Sequence, residues 1–242
     1  MSTDSEHIIL SNISIEINRK PIKNMHLSVH PPNGRVSISV PQDRDLGVIR
    51  LFVISKLAWI KKQIKSFEEQ ERETERIYVS GETHFFQGKR YLLKLIEEEG
   101  PTRISIKGTK TIIMRVRPGI SKDDKARAMK EWYRKELKKL IPDLIDKWES
   151  VIAVKSSAWG IKQMKTKWGS CNPDAKRIWL NLELAKKPKI CLEYILVHEL
   201  VHLHERNHND RFVSLMDQFM PHWRRHRDVL NSLPIVHNDW GY

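Results

Sequence analysis

Apolar and polar residues alternate at Ile13–Ile17, Leu27–Val29 and Val36–Val40, the period-2 pattern of half-buried strands. Pro31-Pro32-Asn33-Gly34 supplies a turn between the second and third of these. From Leu46 to about Glu73 the period changes. Ile49, Phe52, Val53, Leu57, Ile60 and Ile64 recur at helical spacing and predict one long helix. Short strands resume at Ile77–Val79, Phe85–Phe86, Tyr91–Ile96, Ile104–Ile106 and Ile112–Val116, punctuated by Gly81, Gly88, Gly100-Pro101 and Gly108. No internal repeat stands out. Pro118-Gly119 marks the expected boundary between a strand-rich N-terminal domain (1–119) and a second domain (120–242).

The second half opens with a helix from about Lys122 to Trp148, interrupted near Ile141-Pro142. Three short strands are predicted at Val151–Lys155, Gly160–Lys165 and Ile178–Leu182. After Lys186-Lys187-Pro188 comes a helix, Ile190–Leu203, that is apolar nearly all round and therefore buried. Asn209 caps a further helix carrying Phe212, Leu215, Met216 and Phe219 on one face, and Pro221 opens a last one. The tail after Pro234 carries no clear pattern. The fold class is α+β.

His198, Glu199 and His202 lie within the buried helix as H-E-x-x-H. Residues four apart on a helix are separated by about 40° and roughly 6 Å, so two imidazoles can share one tetrahedral metal. Glu199 points about 100° away, suited to meet a metal-bound water. Buried polar side chains at that density require partners, and a metal ion provides them. Asn207 suits a left-handed turn that ends the helix and returns the chain, bringing His208 to the same ion. Three nitrogen ligands leave a fourth position open, as in catalytic zinc sites. Zn²⁺ is thus the expected cofactor, with His198, His202 and His208 as ligands and Glu199 as general base. His204 points elsewhere on the helix.

Composition narrows the function classes. Of 242 residues, 40% are hydrophobic and 30% charged, enough for a core and a solvated surface. Leu46–Ile60 is broken by Arg50 and Lys56, so it is no membrane span, and Met1–His7 has no leader-like pattern. Two cysteines, Cys171 and Cys191, form no C-x-x-C pair, which excludes a cysteine-based zinc module and fits a reducing, cytoplasmic location. The net charge of +13 is interleaved with acidic residues. It implies non-specific nucleic-acid affinity at most. No membrane partner is expected, and the oligomeric state is open.

Met164-Lys165-Thr166-Lys167-Trp168-Gly169-Ser170-Cys171, the Ile178–Leu182 strand, His198-Glu199-Leu200-Val201-His202 and Asn207-His208-Asn209-Asp210-Arg211-Phe212 together resemble the YgjP-like metallohydrolase family, which is similar to the SprT-like zinc proteases. Gly81–Phe85 and Glu131-Trp132-Tyr133 also resemble family segments. The resemblance implies a zincin-like second half, maps His198, His202 and His208 onto zinc ligands and Glu199 onto the catalytic base, and implies peptide or protein substrates. It also implies that the strand at Ile178–Leu182 is an edge that pairs with extended peptide, the alternative being a core strand. A UTP pyrophosphatase activity is attributed to the family's namesake. Phosphoanhydride hydrolysis of a nucleotide, with Lys165, Lys167 and Arg177 holding phosphate, is therefore the first alternative. A polyanion-binding protein with structural zinc is the second.

Several residues keep two readings. Trp168–Cys171 is either a loop shaping the pocket or a glycine turn with a tryptophan behind it. Tyr194, Arg211 and His222 are candidates for stabilising an oxyanion. Glu193, Glu205 and Asp210 are candidates to accept the second N–H of a ligand histidine.

Overall fold

The computed structural model describes residues 6–30, 34–69, 72–73, 76–164, 167–232 and 235–236. Part of the Pro31–Gly34 turn, Lys165 and most of the tail after Pro234 lie outside the described residues. The chain divides into two compact units, 1–72 and 73–237. The boundary expected at Pro118-Gly119 falls within the second unit, between a strand and a helix that share one core.

The first unit is a four-stranded sheet of β1 (Glu6–Leu10), β2 (Ile13–Lys20), β3 (His26–His30) and β4 (Arg35–Pro41), in the order β1-β2-β4-β3. The β2–β4 pair is parallel and the outer pairs are antiparallel. Alternate residues Ile15, Ile17, Val36, Ile38 and Val40 are buried, and Ile49, Val53 and Ile60 complete the cluster. These last three come from α1 (Leu46–Ser55) and α2 (Leu57–Glu69). The single helix expected over 46–73 is thus two, broken at Lys56, whose N–H returns to the Ile54 and Val53 carbonyls. A two-residue strand, β5 (Arg72–Glu73), follows.

The second unit repeats this plan. β6 (Thr83–Phe86), β7 (Lys89–Glu97), β8 (Arg103–Lys107) and β9 (Thr111–Val116) form a sheet in the order β6-β7-β9-β8. Again one parallel pair is central and the outer pairs are antiparallel. The helix α3 (Lys122–Ile152) follows. β2 and β7, β4 and β9, and α1 and α3 each begin 76 residues apart. The buried residues Ile8, Ile15, Ile17, Val36, Ile38, Val40 and Val53 fall on buried His84, Tyr91, Leu93, Ile112, Met114, Val116 and Met129. The expectation of no internal repeat is therefore corrected. Burial class is kept at each position while identity is not, so residue-by-residue comparison shows nothing.

Other differences have local causes. α3 continues through Pro142, with Leu137, Ile141, Leu144, Ile145 and Trp148 carrying one buried stripe across it. The strand expected at Val151–Lys155 is instead the end of that helix, closed by Ala153 at φ 57°. Ile77–Val79 forms no strand, since Glu82 Oε2 accepts from the Ile77, Tyr78 and Val79 amides and bends the segment around one carboxylate.

A three-stranded sheet contains β10 (Ala158–Lys162), β11 (Gly169–Asn172) and β12 (Arg177–Asn181), ordered β10-β12-β11. A 3-10 turn over Leu182–Lys186 leads into α4 (Lys189–Val201), followed by α5 (Asp210–Phe219) and α6 (Trp223–Ser232). The β6–β7 hairpin tip docks on that turn: Gln87 N–H and Gly88 N–H donate to the Ala185 and Lys186 carbonyls. Gly88 (φ 75°) has Pro188 so close that an added Cβ would sit 2.6 Å from the proline Cγ. This contact fixes where α4 begins. Packed on α3, β11, β12, α5 and α6, α4 is enclosed on most sides.

Candidate metal centre

His198 and His202 lie one turn apart at the C-terminal end of α4, as their spacing predicts, with ring centroids 4.9 Å apart. The chain then turns back through residues 202–209. Asn207 is not among the left-handed residues. The turn is shaped instead by Glu205, whose carboxylate accepts from the Asn207 amide and whose carbonyl accepts from His202 Nδ1 at 3.0 Å. His208 arrives with its Nε2 2.9 Å from His198 Nε2. Asn209 caps α5 by accepting from the Phe212 amide. That cap seats Phe212 beneath the triad, 4.7–4.9 Å from all three imidazole centroids. The sequence placed Phe212 on an apolar helix face but gave no sign that it forms the floor of the site.

One potential ligand atom from each of His198, His202 and His208 lies within 4.8 Å of the others. A tetrahedral ion with bonds of about 2.0–2.1 Å holds its nitrogens about 3.4 Å apart; the His198 and His208 nitrogens are 2.9 Å apart and no pair exceeds 4.8 Å. The protonation states fit as well. Because a carbonyl only accepts, His202 Nδ1 carries the hydrogen and its Nε2 keeps a lone pair. Burial, reinforced by His202 and His208, pushes His198 down to about 3, so it stays neutral. The Nε2 atoms of His198 and His208 face each other, and His198 Nδ1 is buried without a hydrogen-bond partner. A cation between the rings matches this donor set.

Glu199 is 5% exposed. Burial pushes its carboxyl up to about 8 although Lys167 pulls the other way, and a divalent charge at the triad would favour the carboxylate. Its position depends on Gly169 in β11, where an added Cβ would lie 2.5 Å from Glu199 Oε1. Trp168–Cys171 is thus neither a loop nor a glycine turn. Gly169–Asn172 is a strand whose first residue leaves room for the acid.

β12, expected as a peptide-binding edge, is the central strand, parallel to β10 on one side and antiparallel to β11 on the other. Among the described residues, β11 pairs with no other strand. Asn181 N–H donates to the Trp168 carbonyl at 2.9 Å. The alternation of antiparallel ladders then turns the N–H and C=O of Gly169 and Cys171 away from β12. A cleft of about 640 Å³ runs along Gly169–Asp174 and across α4, past Tyr194, His198, Glu199 and His202.

The other candidates divide. Tyr194 lines the cleft, edge-on to His198 and stacked on Trp223. Arg211 and His222 are not among its lining residues, and Arg177 is not either; Lys167 is, together with Arg206, which the sequence reading missed. Glu193 binds Lys147 and Trp148 instead of a site histidine. Of the proposed imidazole acceptors, Glu205 serves, through its carbonyl. His204 bonds the Ile152 carbonyl. Burial, then Glu199, raises the Cys171 thiol to about 11, which leaves it no part as a thiolate nucleophile.

A histidine triad beside a buried glutamate on an H-E-x-x-H helix, with an open strand edge alongside, has the composition of a metal-dependent hydrolase site. Residues 23–233 match the family described as YgjP-like, metallopeptidase domain, and the chain belongs to that family. None of the curated proteins matches the chain. A solved structure, the metallopeptidase zymogen of Pyrococcus abyssi abylysin, is similar at 20% identity over 37% of this chain and 87% of that one; its TM-score of 0.34 makes this a slight likeness. No helix among the described residues is long and apolar enough to cross a membrane.

Proposed function

We propose that this metallopeptidase-family chain is a zinc-dependent endopeptidase, with His198, His202 and His208 as ligands and Glu199 as general base. The observation that carries the reading is the convergence of three imidazoles beside a buried carboxyl and an open strand edge. When bound, zinc supplies Lewis-acid polarisation and lowers the pKa of a water towards about 7. Glu199 takes the water's proton as the water attacks the scissile carbonyl, then returns it to the amide nitrogen as the C–N bond breaks. Gly169 and Cys171 hold an extended substrate backbone through their outward N–H and C=O groups. Tyr194 flanks the position where negative charge develops.

A second reading, hydrolysis of a nucleoside triphosphate, draws on Lys167 and Arg206 at the cleft. Phosphate transfer sites bring several cations together on one pocket, whereas this cleft extends along a strand. Incubating zinc-loaded protein with unfolded protein and with UTP, each beside Glu199→Gln, separates the two. New peptide N-termini that disappear in Glu199→Gln are expected. Pyrophosphate release lost in Glu199→Gln, with no peptide cleavage, would replace the peptidase reading.

A further inference from the structure

The repeated module supplies an internal control for its own surfaces. In the second copy, the solvent side of α3 carries Asp124, Arg127, Lys130 and Lys135, as a wet helix face should. The matching positions of the first copy, 76 residues earlier, are Val48, Leu51, Ile54 and Trp59. These four are 42%, 69%, 49% and 43% exposed. The same fold position is thus charged in one copy and apolar in the other. Nothing in the module's own packing requires this, because α1 and α2 already reach the first sheet through Ile49, Val53 and Ile60. A contiguous exposed apolar row of this kind marks an interaction site.

The rim defines the occupant. Between Leu46 and Lys65 there is no acidic residue, while Arg50, Lys56, Lys61 and Lys62 are exposed around the row. A second copy of this chain would set those cations against themselves. A lipid surface would meet a broad apolar face, whereas Val48, Leu51 and Ile54 form a narrow row roughly 9 Å long at the rise of α1, with Trp59 beyond the break at Lys56. Val48, Leu51 and Ile54 have the three-residue spacing with which one helix anchors on another. We propose that the outer face of α1 and the first turn of α2 dock a partner protein's helix bearing an apolar row flanked by Asp and Glu. The first unit is then a recruitment module, serving whatever chemistry the second unit performs.

The test places a photo-crosslinking benzoylphenylalanine at position 51 of the full chain, in cells that make the protein, and sequences the captured peptide. Leu51 is exposed, so the fold tolerates the change. The expected product is a segment of another protein with apolar residues at helical spacing and carboxylates beside them. Its yield should fall at least fivefold when Lys56→Glu and Lys62→Glu are added, and stay level with Lys138→Glu, an equally exposed lysine on α3. Crosslinks to the chain itself, crosslinks insensitive to the charge reversals, or no crosslinks would overturn the proposal. So would phosphatidylglycerol vesicles that bind the wild-type protein but not Leu51→Glu.

Discussion

Gly169 and Glu199 form a tight pairing at the level of single residues. Adding one methyl group at position 169 forces the carboxylate of Glu199 to move, and a displacement of about 1 Å at a reacting group costs roughly 10²-fold in rate. Gly169→Ala is therefore expected to lower kcat by one to two orders of magnitude with zinc content unchanged. Loss of zinc in the same proportion would show that the substitution acts on the ligands instead. Glu199→Gln removes only the proton acceptor and should cost about 10² to 10⁴ in turnover, again with full metal. The pair also shows what a sequence discloses. His198, Glu199 and His202 are legible because their relation is local and fixed by helical pitch. The fit of Gly169 to Glu199 is a contact between a strand and a helix that no spacing rule contains. His208 was legible in outcome but not in cause, since the turn that returns it is built by Glu205 and not by a left-handed Asn207.

Elements differ in how much of their origin is local. The most strand-like stretch near the site, Ile178–Leu182, is central because its apolar residues Ile178, Trp179, Leu180 and Leu182 suit a strand paired on both sides. Among the described residues, the short, polar Gly169–Asn172 is the unpaired edge that lines the cleft, and its composition hides it. In α3 the buried stripe outweighs Pro142, an exposed residue that leaves the helix one backbone hydrogen bond short. Pro142→Ala should restore that bond and raise stability by up to about 3 kcal/mol, read as a higher midpoint in urea. An unchanged midpoint would mean that α3 has already absorbed the proline by local bending. The end of α3 gives a pH prediction. Burial raises the Glu149 carboxyl, but hydrogen bonds from Lys155 and from the Ser156 hydroxyl and amide outweigh it, so its folded pKa lies below the ordinary value. Such a group stabilises the fold above its ordinary value of 4.5, and the contribution is lost as pH falls through the lower folded value. Wild type should thus be more stable than Glu149→Gln at pH 7, with the gap closing in acid. A gap that stays constant down to pH 3 would contradict this.

At the scale of the whole molecule, one structural module serves twice. Its second copy is joined to the half that carries the histidine triad, where the β6–β7 tip sets the start of α4 and α3 packs along it. Its first copy is a separate compact unit. The α+β class and most elements were legible from periodicity. The duplication was not, because it survives only as matched burial between dissimilar residues such as Ile15 and Tyr91. The division at residue 72 was missed for the same reason. Pro118-Gly119 is the stronger turn signal, yet Ile112, Met114 and Val116 before it and Met129 and Tyr133 after it belong to one core.

Everything proposed for catalysis depends on the three histidines holding a metal with one position left open. Zinc-edge X-ray absorption on the zinc-loaded chain tests this most directly, because it reports the ligand atoms themselves. Three imidazoles and one oxygen at about 2.0 Å are the predicted shell, with one zinc per chain. Cys171 stands in the same cleft, so a thiolate ligand is a concrete rival. A sulfur at about 2.3 Å, or fewer than three imidazoles, would contradict the account.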